Sequence, residues 1–184
     1  MTTPKPGDFF TYHDSTTRWK DQLVAFIVQF GTASQVNHAG IYVGLIEGVP
    51  TVVEARPGGA GYAPLSQYLN SWTHWSGGAG IPTGNLERMW RRDIVHAAIS
   101  LVGTPYGWLD LVAVALAQKR LGAHLDRVSP LDKQPWWVKR IARQDRLICS
   151  ELVDVAYLQA GVYLFNDGRY PGCVSPADLD GLIG

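Results

Sequence analysis

His38-Ala39-Gly40-Ile41-Tyr42-Val43-Gly44-Leu45-Ile46, then Glu47-Gly48, then Val49-Pro50-Thr51-Val52-Val53-Glu54-Ala55, is the stretch on which the fold turns. Both flanking runs are short and rich in β-branched and aromatic residues, and Glu-Gly between such runs is tight-turn chemistry. The pattern therefore predicts two antiparallel strands joined as a hairpin. A hairpin of this register carries His38 and Glu54 toward the same side of the sheet. There a carboxylate can orient an imidazole and stabilise its protonated form. On the residues alone, a surface histidine at a strand edge and a glutamate paired to a surface base stay open.

Upstream, Asp8-Phe9-Phe10-Thr11-Tyr12 follows a Pro-Gly turn signal and reads as a first strand. Thr17 to Phe30 reads as a helix, with Trp19, Leu23, Phe26, Ile27 and Phe30 at three- and four-residue spacings and Gly31 as its C-cap. Downstream, residues 56–85 are rich in glycine and proline and read as loops, with a short helix over Leu65 to Trp72. Two Gly-Gly-Ala-Gly quartets, 58–61 and 77–80, resemble phosphate loops, but neither carries the Lys-Ser/Thr of that motif or leads from a strand into a helix. Helices are expected over Asp93 to Val102 and Trp108 to Leu121, separated by Gly103-Thr104-Pro105. A polar connection, His124 to Gln134, then precedes the basic aromatic run Pro135 to Ile141. The last long helix runs from Cys149 to Ala160 and is closed by Gly161, and Ser175-Pro176-Ala177-Asp178-Leu179 reads as a capped terminal helix. No repeat and no linker divides the chain, so residues 1–184 read as a single domain.

Two cysteines are too few for a disulfide scaffold, and their spacing fits neither a redox pair nor a zinc knuckle. Cys149 opens a helix on whose inward face residues 149, 152, 153, 156 and 160 fall. The positive end of the helix dipole favours thiolate there, and thiolate is the nucleophilic form; a buried structural cysteine is the other possibility at this point. With His38 as base and Glu54 as orienting acid, a Cys-His-acid triad is consistent. Cys173 stands in a turn-rich loop and reads as a packing residue.

Four ordered motifs resemble a known superfamily. Pro6-Gly7-Asp8-Phe9-Phe10, His38-Ala39-Gly40-Ile41-Tyr42-Val43-Gly44 and Val53-Glu54-Ala55 look like the β-half of NlpC-type papain-like cysteine peptidases. Gly103-Thr104-Pro105-Tyr106 and Cys149-Ser150-Glu151-Leu152-Val153 look like its helical half. The histidine strand precedes the cysteine helix, as in the circularly permuted branch that includes YiiX-like proteins and lecithin retinol acyltransferase relatives. The resemblance spans residues 6 to about 160. It implies a permuted papain-like α+β fold, an antiparallel sheet packed against helices with the nucleophile at a helix N-terminus. Cys149 is then the nucleophile, His38 the general base and acid, Glu54 the orienting group, and Tyr106 a donor to the oxyanion beside the Cys149 backbone N–H. The chain departs from the pattern at Ile148, where the family carries Asp, at Glu151, where it carries a small residue, and at Glu54, where His, Asn or Gln is commoner.

The implied activity is that of a thiol hydrolase, a cysteine peptidase or amidase acting on bacterial peptidoglycan stem peptides, bacterial or phage in setting. A lipid or N-acyl amide hydrolase or acyltransferase is the second expectation, and a noncatalytic binding or structural module the third. Composition agrees with one compact unit: 184 residues at 46% hydrophobic support one core. Sixteen Lys+Arg balance 16 Asp+Glu, which removes the charge footprint of a nucleic-acid binder. No metal-ligand spacing occurs, and neither metal nor cofactor is expected. No apolar run is long enough to span a bilayer, though Trp136, Trp137, Lys139 and Arg140 suit peripheral contact with an anionic surface. Met1 to Asp8 lacks a signal-peptide core. Synthesis in the cytoplasm is expected, with delivery to a wall by a non-classical, virion or lysis route.

Overall fold

The structure is a computed structural model that describes residues 3–13, 36–107, 146–169 and 171–183. It is α+β. Five antiparallel strands, β1 (Phe9–Tyr12), β2 (His38–Ile46), β3 (Val49–Arg56), β4 (Gly59–Pro64) and β5 (Thr73–Trp75), lie in the order β4-β3-β2-β1-β5. Among the described residues three α-helices accompany them: α1 (Glu87–Ser100), α2 (Cys149–Gln159) and the short α3 (Pro176–Asp180). The expected helices over 17–30 and 108–121, the polar connection 124–134 and the basic aromatic run 135–141 lie outside the described residues.

The hairpin forms as its residues dictate. Glu47 and Gly48 both adopt positive φ, 50° and 81°, the signature of a type I′ turn whose twist matches the strands it joins. The resulting register sets Gly40 opposite Glu54 and Ile41 opposite Val53, with a bulge between Tyr42 and Gly44. Alternation then sorts the strands onto two faces. Ile41, Val53 and Phe9, with Leu152, Val153 and Ile94 from the helices, form the main core, while Phe10, Val52, Leu65 and Tyr68 form a smaller cluster on the opposite face. Each fully buried side chain of this size contributes about 1.5–3 kcal/mol of transfer free energy.

The Pro-Gly-Asp segment explains itself structurally. Gly7, at φ 90°, completes a turn in which Asp8 N–H donates to Lys5 O at 2.9 Å. The buried Asp8 carboxylate then accepts from Arg91 of α1 at 2.8 Å, and Tyr157 Oη of α2 donates to Gly7 O at 2.6 Å. One tight turn thus ties the start of β1 to α1 and α2.

Three expectations need correction. Residues 56–85 are not all loop: Gly59 to Pro64 pair with Thr51 to Arg56 of β3, and Thr73–Trp75 pair with β1. Glycine, alanine and proline have low strand propensity, and tertiary pairing overrides it here. The edge is further tied by Ala60 N–H to Thr104 O at 2.8 Å and Gly103 N–H to Ala60 O at 2.9 Å. The helix placed over Leu65–Trp72 is a single 3-10 turn, Leu65–Tyr68; Asn70 then accepts from Trp72 N–H at 2.9 Å, an Asx turn that redirects the chain into β5. Finally, α1 begins at Glu87 rather than Asp93, because its charged first turns use Arg91 inward, toward Asp8.

Gly40 is a close-approach glycine. A Cβ there would lie 2.9 Å from two Phe10 ring carbons and from Val53 O. Gly40→Ala should therefore lower stability by about 1–3 kcal/mol in urea unfolding. Gly58→Ala, where a Cβ meets nothing within 4 Å, should stay within about 0.5 kcal/mol of the parent. Equal behaviour of the two variants would refute this account of the sheet.

Candidate active site

Cys149 is the first residue of α2 and is a free, buried cysteine. The helix is held firmly. Leu152, Val153 and Ala156 are fully buried, the Phe9 and Tyr157 rings meet edge to face at 5.7 Å, and Ser150 Oγ donates to Val174 O at 2.6 Å. Gly161, at φ 78°, closes the helix as expected. Burial extends further round the helix than the expected stripe, taking in Ser150, Glu151, Asp154 and Tyr157, because the Pro171–Cys173 turn and the segment around Arg169 cover a second flank. Asp154 feels this most: burial raises its carboxyl to about 6, against the lowering effect of Arg169.

The cap of α2 accounts for one departure from the motif. Ile148 at the N-cap has no side-chain oxygen with which to accept the first-turn N–H groups. The Glu151 carboxylate reaches back to Ile148 N–H at 3.4 Å, half of a capping box. Glu151 is thus the cap partner in this chain.

His38 is the first residue of β2 and is buried. Its ring lies 6.3 Å from Phe10 and 6.2 Å from Tyr68, both of the smaller cluster, while its side chain hydrogen-bonds Cys149 at the start of α2. The other interaction is with Glu54: His38 Nε2 and Glu54 Oε2 form a short buried hydrogen bond and ion pair. That bond follows from register. With Gly40 opposite Glu54, residues 38, 40, 54 and 56 share one face, and the two side chains meet on the diagonal.

Glu54 has further partners that the sequence reading missed. Tyr68 Oη donates to Glu54 Oε2, Arg56 Nε donates to Oε1 at 2.8 Å, and Arg56 Nη2 donates to Tyr68 Oη at 2.9 Å. Arg56 was detectable, since in a strand the residue two beyond Glu54 points to the same face. Tyr68 carried no periodic signal in its glycine-rich surroundings.

Tyr106 is buried, and an isolated parallel bridge pairs it with Leu147, two residues before Cys149. Gly107 N–H donates to Leu147 O, and Leu147 N–H to Pro105 O, each at 3.0 Å. The Gly-Thr-Pro-Tyr segment therefore runs beside the chain entering α2. Cys173 ends the 3-10 turn Pro171–Cys173, and Ser175 caps α3 by accepting from Asp178 N–H at 3.2 Å. Trp136, Trp137, Lys139 and Arg140 lie outside the described residues.

Burial is the largest single influence on both members of the His38–Glu54 pair and disfavours their charged forms, but the partners of each together outweigh it. Burial lowers the His38 pKa, yet the Glu54 charge and the hydrogen bonds from Cys149 and Glu54 raise it overall. Burial raises the Glu54 carboxyl, yet His38, Arg56 and Tyr68 bring it below its ordinary value. No family model matches the chain, and no curated protein matches it in sequence. Among the described residues no group of three metal-ligating side chains occurs, and no helix is long and apolar enough to cross a membrane.

His38, raised from 6.5 to about 9, adds stability that is full below pH 6.5 and lost as pH rises through 9. Glu54, lowered from 4.5 to about 2, adds stability present above pH 4.5 and lost as pH falls through 2. The stability margin of the parent over Glu54→Gln should therefore be widest between pH 4.5 and 6.5 and narrow on both sides. Imidazole NMR should show the His38 midpoint falling to 6.5 or below in Glu54→Gln; a midpoint that stays near 9 would contradict the ion pair.

Proposed function

We infer that the protein is a cysteine hydrolase, a peptidase or amidase of permuted papain-like fold built as a single unit over residues 1–184. The observation that carries this is the buried His38 imidazole, hydrogen-bonded on one side to the Cys149 side chain and on the other to the Glu54 carboxylate. A nucleophile, a proton carrier and its orienting acid in that order are what acyl transfer requires. Peptidoglycan stem peptides are the proposed substrate class, on the resemblance of the four motifs to wall-cleaving peptidases.

The chemistry runs in two halves. With Nε2 committed to Glu54, Nδ1 is the nitrogen that exchanges a proton with the sulfur. Having given its proton to His38, the Cys149 sulfur adds to the amide carbonyl carbon. The carbonyl oxygen takes the negative charge and accepts from the first-turn N–H of Cys149, a donor with no cap side chain competing for it, and from Tyr106 Oη. The C–N bond then breaks as His38 passes its Nδ1 proton to the leaving amine, and a thioester remains. His38, now neutral, takes a proton from water; the oxygen attacks the thioester, the C–S bond breaks, and the acid product leaves with sulfur and imidazolium restored. Glu54 keeps its Nε2–H bond throughout.

Purified peptidoglycan and acylated lipids should be incubated with the parent and with Cys149→Ala, and the products identified by mass spectrometry. Cleavage of stem-peptide bonds by the parent is expected, with a loss of at least about a thousandfold in Cys149→Ala. Cleavage that survives the substitution overturns the mechanism. Release of acyl groups from lipid alone moves the substrate class to lipids, and inertness of both proteins on every substrate leaves a noncatalytic module.

A further inference from the structure

Glu54 accepts from three donors at once: His38 and Tyr68 at Oε2, and Arg56 at Oε1, with Arg56 also bonded to Tyr68. A carboxylate serving a histidine alone, in a buried site, would hold the imidazolium strongly, because Coulomb attraction grows as the local dielectric falls. An imidazolium held that way is a poor proton donor to a leaving amine, since proton transfer is most efficient when the donor's affinity sits near the working pH.

On the reading of Cys149, His38 and Glu54 as one reactive group, we propose that Arg56 and Tyr68 are positioning residues. They divide the charge of the Glu54 carboxylate and so set how readily His38 releases its proton. Neither touches the reacting atoms: Tyr68 acts through Glu54, and Arg56 acts through Glu54 and through its own charge near the imidazole.

The packing makes this division a built-in property. The Tyr68 ring is fully buried and seated 4.3 Å from Phe10 and 5.3 Å from Tyr12, so the hydroxyl is aimed at Glu54 by the aromatic cluster and not by the carboxylate. Arg56 is the last residue of β3, and its Nε reaches the oxygen that His38 and Tyr68 leave open. The groups that face His38 are Glu54 and Arg56 from β3, Tyr68 from the 3-10 turn, Cys149 from α2, and Tyr12, its partner across β1. Among these described groups Arg56 is the cation, and its charge opposes the pull of Glu54 on the imidazolium. The influences on His38 have the signs this arrangement requires: burial lowers its proton affinity, Glu54 raises it, and Arg56 lowers it.

The test compares the full chain with Arg56→Gln, Arg56→Lys, Tyr68→Phe and His38→Gln. Two quantities are read across pH: the His38 imidazole titration by NMR, and the rate of Cys149 alkylation by iodoacetamide. Arg56→Gln should raise the His38 midpoint by roughly half to one pH unit, and the upper inflection of the alkylation profile should move with it. Arg56→Lys should return most of that shift, because the charge is kept. Tyr68→Phe, which deletes one oxygen, should move the midpoint the same way by less, and it carries the test alone if Arg56→Gln does not fold. Residues that merely pack would lower the unfolding midpoint in urea and leave the titration where it was. A His38 midpoint that is unchanged or lower in these variants overturns the proposal. Alkylation equally fast in the parent and in His38→Gln would instead overturn the reactive-thiol reading, while a shifted His38 titration would still support the division of charge.

Discussion

The buried ion pair between His38 and Glu54 is the constraint around which the described structure is arranged. Removing two charges from water costs several kcal/mol per ion, and mutual attraction offsets this only when the remaining lone pairs and protons are also met. Here they are met by three further side chains. The strand ladder brings the pair together, Arg56 and Tyr68 satisfy the rest of the carboxylate, and Cys149 occupies the other side of the imidazole. Much of the smaller aromatic cluster can be understood as the shell that keeps water from this pair, with Phe10 lying over the strand at Gly40, directly opposite Glu54.

The sheet also separates two jobs. Its larger apolar face seats α1 and α2 and so fixes where the sulfur is, while the opposite face seats Tyr68 and so fixes where the carboxylate's partners are. His38 is at the end of a strand, the one kind of place where a side chain can take part in both. The Lys5–Asp8 turn contributes at a distance. Through Arg91 and Tyr157 it locks the two long helices to the first strand, which leaves the start of α2 little freedom to shift relative to β2.

What could be read in the sequence was whatever carries a period. The alternation in residues 38–55 yields the hairpin, its register and the meeting of His38 with Glu54, and the three-four spacing after Cys149 yields α2 with the thiol at its start. The strand β4 was not legible, because in Gly59 to Pro64 only Tyr62 has a side chain of strand character and the segment is held by pairing, to β3 along one edge and at Ala60 to Gly103 and Thr104. The first turns of α1 escaped for a related reason. Arg91 is turned inward to a carboxylate more than eighty residues away in sequence, and an apolar pattern cannot register a buried charge. Tyr68 and Arg56 belong to the same class: their place is determined by who shares Glu54, which is a tertiary fact.

The hairpin also bears on the order in which the site comes together. His38 and Glu54 are 16 residues apart, and a hairpin of that span closes on a timescale of about 1–10 μs with a small loop entropy. Cys149 lies far along the chain, and its arrival waits on the docking of α2 against β2 and β3. The His38–Glu54 pair is therefore local and quick to assemble, and the sulfur is the late component. During folding Cys149 stays apart from the His38–Glu54 pair until α2 docks on the sheet, so these are among the last contacts its side chain acquires.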